Sequence, residues 1–383
     1  MTRVSIRESV LRWALERSGR YGQIQQKFPK LSEWLQGQSQ PTLRQLEALA
    51  RVTSTPLGYL FLPHPPDERL PIPLFRTLGD EPLRRPSPDL LETVQTMERR
   101  QAWMRDYLIE QGNEPLAFVR SSQIVDDPQN LARQIRSASG LGERWAAEQP
   151  TWTAALRELQ GKLEDAGFLV VVSSIVGNNT RRKLNPNEFR GFVLVDEYAP
   201  LVFVNGADGK AAQMFTLAHE LAHVWFGSSA AFDLRELQPA NDETERACNQ
   251  VAAEFLVPAE ELRGFWPSVR LHPERFNGVA RQFKVSEIVA ARRALDLQLL
   301  TKREFLDFYH AYQERERRTA HHAQKGGDFY ATQNLRIGRR FAQSVVRATK
   351  EGRLLYSEAF QLTGLYGKSF DRYAELLGSR GTV

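Results

Sequence analysis

Residues 215–227 read Phe-Thr-Leu-Ala-His-Glu-Leu-Ala-His-Val-Trp-Phe-Gly. The chain has only seven histidines, and His219 and His223 stand four apart with Glu220 beside the first. On a helix that spacing puts both imidazoles on one face, within reach of one ion. Zinc takes imidazole nitrogen at about 2.0–2.1 Å. Glu220 is placed to act as general base, taking a proton from water and passing it to a leaving amine. A catalytic zinc also needs a third protein ligand and one open position. The run Glu243-Thr-Glu-Arg-Ala-Cys-Asn-Gln-Val-Ala-Ala-Glu254 offers Glu245, 22 residues after His223. At helical spacing Asn249 and Ala252 fall on its side, and small residues there allow close helix packing. Glu243 and Glu254 are rivals. Cys248 has ligand chemistry too, but a lone cysteine is more often a small core residue. The bland reading is two histidines on an amphipathic helix, satisfied by hydrogen bonds. The strand-then-helix context argues against it.

The elements that must position these residues are legible as periodicities. Strand signals lie at 168–173, 191–195 and 201–205, with polar turns between them. Helical patterns follow at 211–226 and 243–256, the second closed by Pro258. The strands at 191–195 and 201–205 are the candidate sheet edges along which a substrate strand would pair. Asn205, Tyr330 and Arg293 are candidate donors to a developing oxyanion. Residues 276–297 read as a helical pair with Ser286 as N-cap. From Leu300 onward the pattern is helical, broken at Gly326-Gly327 and again at 362–367. Upstream, helices are expected at 5–18, 21–28, 30–35 and from Pro41-Thr42, then near 89–110, 129–138 and 151–165. Prolines crowd positions 63–88, which reads as an arm carrying Ile72, Leu74 and Phe75.

The sequence thus predicts an α+β, mostly helical protein. It has four parts: a helix-turn-helix-like domain (1–62), the Pro-rich arm and long helix (63–112), a metallopeptidase domain (113–300), and a basic helical domain (301–383). Hydrophobic content of 42% and charged content of 25% are those of a soluble globular protein. No run of 18 apolar residues suggests a membrane span, and no secretory signal is read at the start. The single cysteine, Cys248, excludes an internal disulfide framework and suits the cytoplasm. The net charge of +5 is uneven: residues 1–60 carry +5, residues 311–383 carry +6 and the stretch between −6. Basic ends make DNA a candidate partner, against the bland reading of solvated helix faces.

Phe215–Gly227, Glu245–Pro258, Glu188-Phe-Arg-Gly-Phe192 and Pro200-Leu-Val-Phe-Val-Asn205 resemble the ImmA/IrrE family of bacterial metallopeptidases. The likeness is strong over 165–300, and the long form of that family has flanks similar to 30–80 and 326–377. The resemblance implies a zincin-like core: a small sheet, the HExxH helix and a glutamate helix. It implies zinc, with manganese an alternative, on His219, His223 and Glu245, and Glu220 as base. It also implies a bacterial intracellular setting in stress response, mobile elements or toxin–antitoxin pairs. The substrate it implies is a regulatory protein, a helix-turn-helix repressor or an antitoxin. The competing expectation is a DNA-binding regulator that uses the same fold to sense or bind without cleaving.

Residues 5–62 resemble a phage-repressor-type helix-turn-helix domain through Trp34-Leu-Gln-Gly37 and Pro41-Thr-Leu-Arg-Gln-Leu-Glu-Ala-Leu-Ala50. Only five residues separate Phe28 from Trp34. That shortens the helix expected to reach a major groove. Lys27, Lys30 and Arg44 remain able to touch phosphates, and the equal alternative is a degenerate domain that docks a partner or repressor. Residues 356–377 read either as a second helix-turn-helix, with Arg336, Arg339, Arg340, Arg347 and Lys350 as its basic face, or as a helical cap packed on the peptidase domain. His321-His322 has no carboxylate or thiol pattern near it and reads as a solvated helix end.

Overall fold

The computed structural model describes residues 3–68, 86–228, 230–232, 243–319 and 329–379. Most of the Pro-rich arm, His321-His322 and Gly326-Gly327 lie outside the described residues. The chain divides into two units, Met1–Pro71 with Gly79–Gln95, and Ile72–Leu78 with Thr96–Val383.

The first unit holds α1 (Glu8–Ser18), α2 (Tyr21–Lys27), α3 (Leu31–Leu35), α4 (Leu43–Thr53) and a 3-10 turn at Leu57–Phe61. Leu11, Leu15, Ile24, Leu31, Leu46, Leu49 and Leu60 are fully buried and form its core. Thr42 starts α4 with a capping box: its hydroxyl accepts from the Gln45 amide, and the Gln45 side chain accepts from the Thr42 amide. Two otherwise orphaned N–H groups are satisfied that way. α5 (Pro88–Glu110) is the long helix, and the division between units falls within it.

The second unit is built on α6 (Pro128–Ala138), α7 (Trp152–Asp165) and a four-stranded sheet. The sheet holds β1 (Leu169–Ser173), β4 (Gly191–Leu194), β5 (Leu201–Asn205) and β6 (Ala230–Phe232), in the order β1-β5-β4-β6. A separate antiparallel hairpin pairs β2 (Ile175–Val176) with β3 (Asn179–Lys183). β1 runs parallel to β5, while β4 is antiparallel to both β5 and β6. Every residue of β1, β4 and β5 is buried. Covered on both faces, these strands read as unbroken apolar runs rather than alternation. Strand order corrects one expectation: β5 is interior, and β4 is paired on both sides, so neither is a free edge.

α8 (Lys210–Phe226) packs on β4 and β5, and α9 (Glu243–Leu256) packs along α8. Ala218 and Ala222 of α8 share one core with Val251 and Ala252 of α9. The end of α8 is pinned: the Arg120 and Ser122 amides donate to the carbonyls of Val224 and Trp225, 3.0 and 3.1 Å away. Carbonyls orphaned at a helix end are satisfied there. The Trp225 ring stacks on Phe118 at 4.6 Å. Gly227 follows with φ +78, and a Cβ there would lie 2.5 Å from Arg120 Cγ.

α10 (Ala259–Val269), α11 (Arg275–Phe283) and α12 (Glu287–Asp296) complete this core, with Ser286 capping α12 through the Val289 amide. α13 (Lys302–Thr319), α14 (Phe329–Ile337), α15 (Arg339–Lys350), α16 (Tyr356–Thr363) and α17 (Lys368–Ser379) follow. The basic face expected on these helices is divided. The Arg340 amide donates to Glu164 Oε1 and its guanidinium to the Glu164 carbonyl, so that residue turns inward. Arg339, Arg347 and Lys350 remain exposed. Among the described residues no helix is long and apolar enough to cross a membrane.

Candidate metal centre

α8 carries His219 and His223 one turn apart, both fully buried. Their Nε2 atoms lie 3.1 Å from each other. From α9 the Glu245 carboxylate completes a triangle, with Oε2 3.2 Å from His219 Nε2 and Oε1 3.2 Å from His223 Nε2. The far nitrogens are tied down. His219 Nδ1 lies 3.1 Å from Asn249 Oδ1, and His223 Nδ1 lies 2.8 Å from Ser228 Oγ. An amide oxygen only accepts, so His219 carries its proton on Nδ1 and offers the lone pair of Nε2.

This donor set fits a divalent cation. Tetrahedral zinc at about 2.0–2.2 Å from three ligands sets them roughly 3.3–3.5 Å apart, close to the observed triangle. With Nδ1 protonated on His219, its Nε2 and the Glu245 oxygens are acceptors crowded together. Such a group repels itself unless a cation is shared. Cys248 competes as third donor, since its sulfur lies within 4.8 Å of the histidine nitrogens. Glu245 is closer, at 3.2 Å to both rings, and is the better fit.

Burial separates the two carboxylates. Glu220 is fully buried, and neither of its oxygens has a hydrogen-bond partner among the described residues. Desolvation, then repulsion from Glu245, push its carboxyl well above the usual range. Glu245, which lies against both imidazoles, is instead held below the usual carboxylate range despite its own burial. Burial lowers His219 below the usual imidazole value, which keeps it neutral. β4 passes directly over this arrangement. A Cβ on Gly191 would meet Thr216 Cγ2 at 2.5 Å, the Phe203 carbonyl at 2.8 Å and Glu220 Oε1 at 3.4 Å.

Residues 163–295 match the family model described as the IrrE N-terminal-like domain of Peptidase M78. The match contains every residue of the centre. Residues 337–376, spanning α15 to α17, match a second family described as a domain of unknown function. Neither the curated proteins nor the solved structures gave a match.

The structure brings together His219, Glu220, His223 and Glu245, and it sets the rival ligands apart. Glu243 is exposed, and Glu254 pairs with Arg293 and accepts from the Ala259 amide. Two oxyanion candidates are committed elsewhere. Asn205 donates to the Phe189 carbonyl and accepts from the Ala207 amide, and Arg293 also donates to the Val257 carbonyl. The Tyr330 side chain lies outside the described residues. Ser228 escaped sequence reasoning. It reaches His223 because Gly227 turns the chain back in the left-handed conformation, and the glycine after the helix was the available signal. Beside the centre a cleft of about 1380 Å³ is lined by Lys210, Phe215, Arg246, Asn249 and Arg292, among others.

Proposed function

We propose that the chain is a metal-dependent endopeptidase in which His219, His223 and Glu245 hold zinc or manganese and Glu220 moves the proton. The observation that carries this reading is the 3.1–3.2 Å triangle of lone-pair donors beside a buried glutamate with no hydrogen-bond partner among the described residues. A divalent ion there supplies Lewis acidity, polarising a peptide carbonyl, acidifying water and favouring ionised Glu220. Asn249 and Ser228 hold the two rings so that Nε2 faces inward. Glu220 takes the proton from the attacking water and delivers it to the leaving nitrogen. The apolar packing of α8 keeps these groups rigid and limits water around them.

The substrate in this reading is a regulatory protein, a repressor with a helix-turn-helix or an antitoxin, and DNA is a further partner of the basic flanks. Its support is the match to a peptidase family over 163–295, the resemblance drawn from the sequence, and the charge asymmetry of the chain. The test incubates the zinc-loaded full chain with candidate helix-turn-helix repressors or antitoxins, including any small one encoded by a neighbouring gene, and reads cleavage on a gel. Glu220→Gln is expected to keep its metal and lose cleavage. Equal cleavage by that variant sinks the assignment of the base. The second reading is a regulator that binds without cleaving. It draws on the complete burial of His219, Glu220 and His223. Under it, Glu220→Gln leaves the biological effect intact.

A further inference from the structure

A peptidase that grips an extended substrate needs a strand with free backbone groups near its reacting centre. The sheet has two outer strands, β1 and β6. β1 lies away from this task. α14 packs along it, and at Gly338 the backbone comes so close that a Cβ would sit 3.1 Å from the Val170 carbonyl. β4 is the strand that passes Glu220, through Gly191. One side of β4 is bonded to β5, and on the other lies β6, antiparallel, with Gly191 opposite Phe232, Phe192 opposite Ala231 and Val193 opposite Ala230.

We propose that β6 is an intramolecular competitor: it occupies on β4 the place of an extended substrate segment, which must displace it to reach the centre. The proposal rests on the peptidase reading and adds to it how access is controlled and what form of substrate is taken. Three observations converge. β6 meets β4 at Gly191, the residue beside the Glu220 carboxylate. It starts four residues after the end of α8, so a short tether keeps it at high effective concentration. The centre below is closed, with His219, Glu220 and His223 at 0% exposure and Glu245 at 4%. At three residues β6 is short for a strand. A longer extended segment can make the same ladder and continue it past Val193. The substrate is therefore an unfolded or locally unfolded stretch running antiparallel to β4. A folded helix cannot take this place.

The test reads binding rather than hydrolysis, so it stands apart from the fate of the peptidase reading. The full-length chain carries Glu220→Gln to prevent cleavage, alone or with Ala230→Pro or Ala231→Pro. The probe is a fluorescein-labelled peptide with the sequence of residues 228–233, followed by anisotropy. Proline donates no N–H, and donors on adjacent strand residues point to opposite sides, so one of the two variants removes a bond to β4. Zinc content and circular dichroism show that each variant is folded. The expected result is peptide binding at least tenfold tighter in one proline variant than in Glu220→Gln alone. Faster hydrogen exchange without peptide should accompany it at whichever of the Phe192 and Val193 amides points toward β6, while the other, facing β5, stays protected. Equal binding by all three folded proteins, or no binding by any of them, overturns the proposal.

Discussion

Each histidine of the centre is useful as a ligand only when its other nitrogen is occupied. Asn249 does this for His219 across 3.1 Å, and Ser228 does it for His223 across 2.8 Å. Asn249 sits one turn beyond Glu245 on α9, so a single helix supplies both a ligand and the partner that orients another. Asn249→Ala frees the His219 ring to rotate and to shift its proton. Zinc affinity should fall about 10- to 100-fold, as for other groups that orient metal ligands. Competition with a chromogenic chelator measures it, and an unchanged affinity contradicts the orienting role. Glu220 differs, because among the described residues neither of its oxygens hydrogen-bonds to a ligand of the triangle. Glu220→Gln should therefore retain one zinc per chain while cleavage disappears.

Among the elements, α8 and α9 were the most legible in the sequence. Patterns at 211–226 and 243–256 correspond to helices at Lys210–Phe226 and Glu243–Leu256, since long apolar periodicity and a closing proline survive any context. The three apolar strands were equally plain. The β2–β3 hairpin was not, because Asn179–Lys183 is polar throughout and carries no alternation. β6 is three residues long and gave no signal, and its pairing turned an expected edge into an interior strand. Strand order depends on contacts distant in sequence, and local periodicity does not encode them. The same holds for Arg100 in α5. Its guanidinium donates to the Leu362 carbonyl at 2.8 Å and the Arg336 carbonyl at 2.9 Å, near the ends of α16 and α14. It also lies 5.6 Å from the Phe341 ring centre. Burial lowers its pKa to about 10, so it stays charged at neutral pH and complements two negative helix ends. Arg100→Met leaves both carbonyls without that donor and should cost about 1–3 kcal/mol in urea unfolding.

For the molecule as a whole, stability should depend on pH through Glu164, where α7 meets the start of α15. Burial raises its carboxyl to about 7, against hydrogen bonds from the backbone of Arg340 and Arg339. The folded protein thus keeps a proton that the unfolded chain releases above about 4.5. This contribution is fully present below pH 4.5 and is lost as pH rises to 7. After allowance for its partial exposure it amounts to about 2–3 kcal/mol. Urea midpoints across that window should fall more steeply for the natural chain than for Glu164→Gln, and parallel curves contradict the assignment. The centre bears on the whole fold as well, since α8 and α9 are joined through it. The donor set is the central claim, and metal content tests it most directly. After equilibration with zinc and dialysis, the natural chain and Cys248→Ala should each hold one zinc. Glu245→Ala should bind at least 100-fold more weakly. Full zinc in Glu245→Ala with loss in Cys248→Ala would contradict the account.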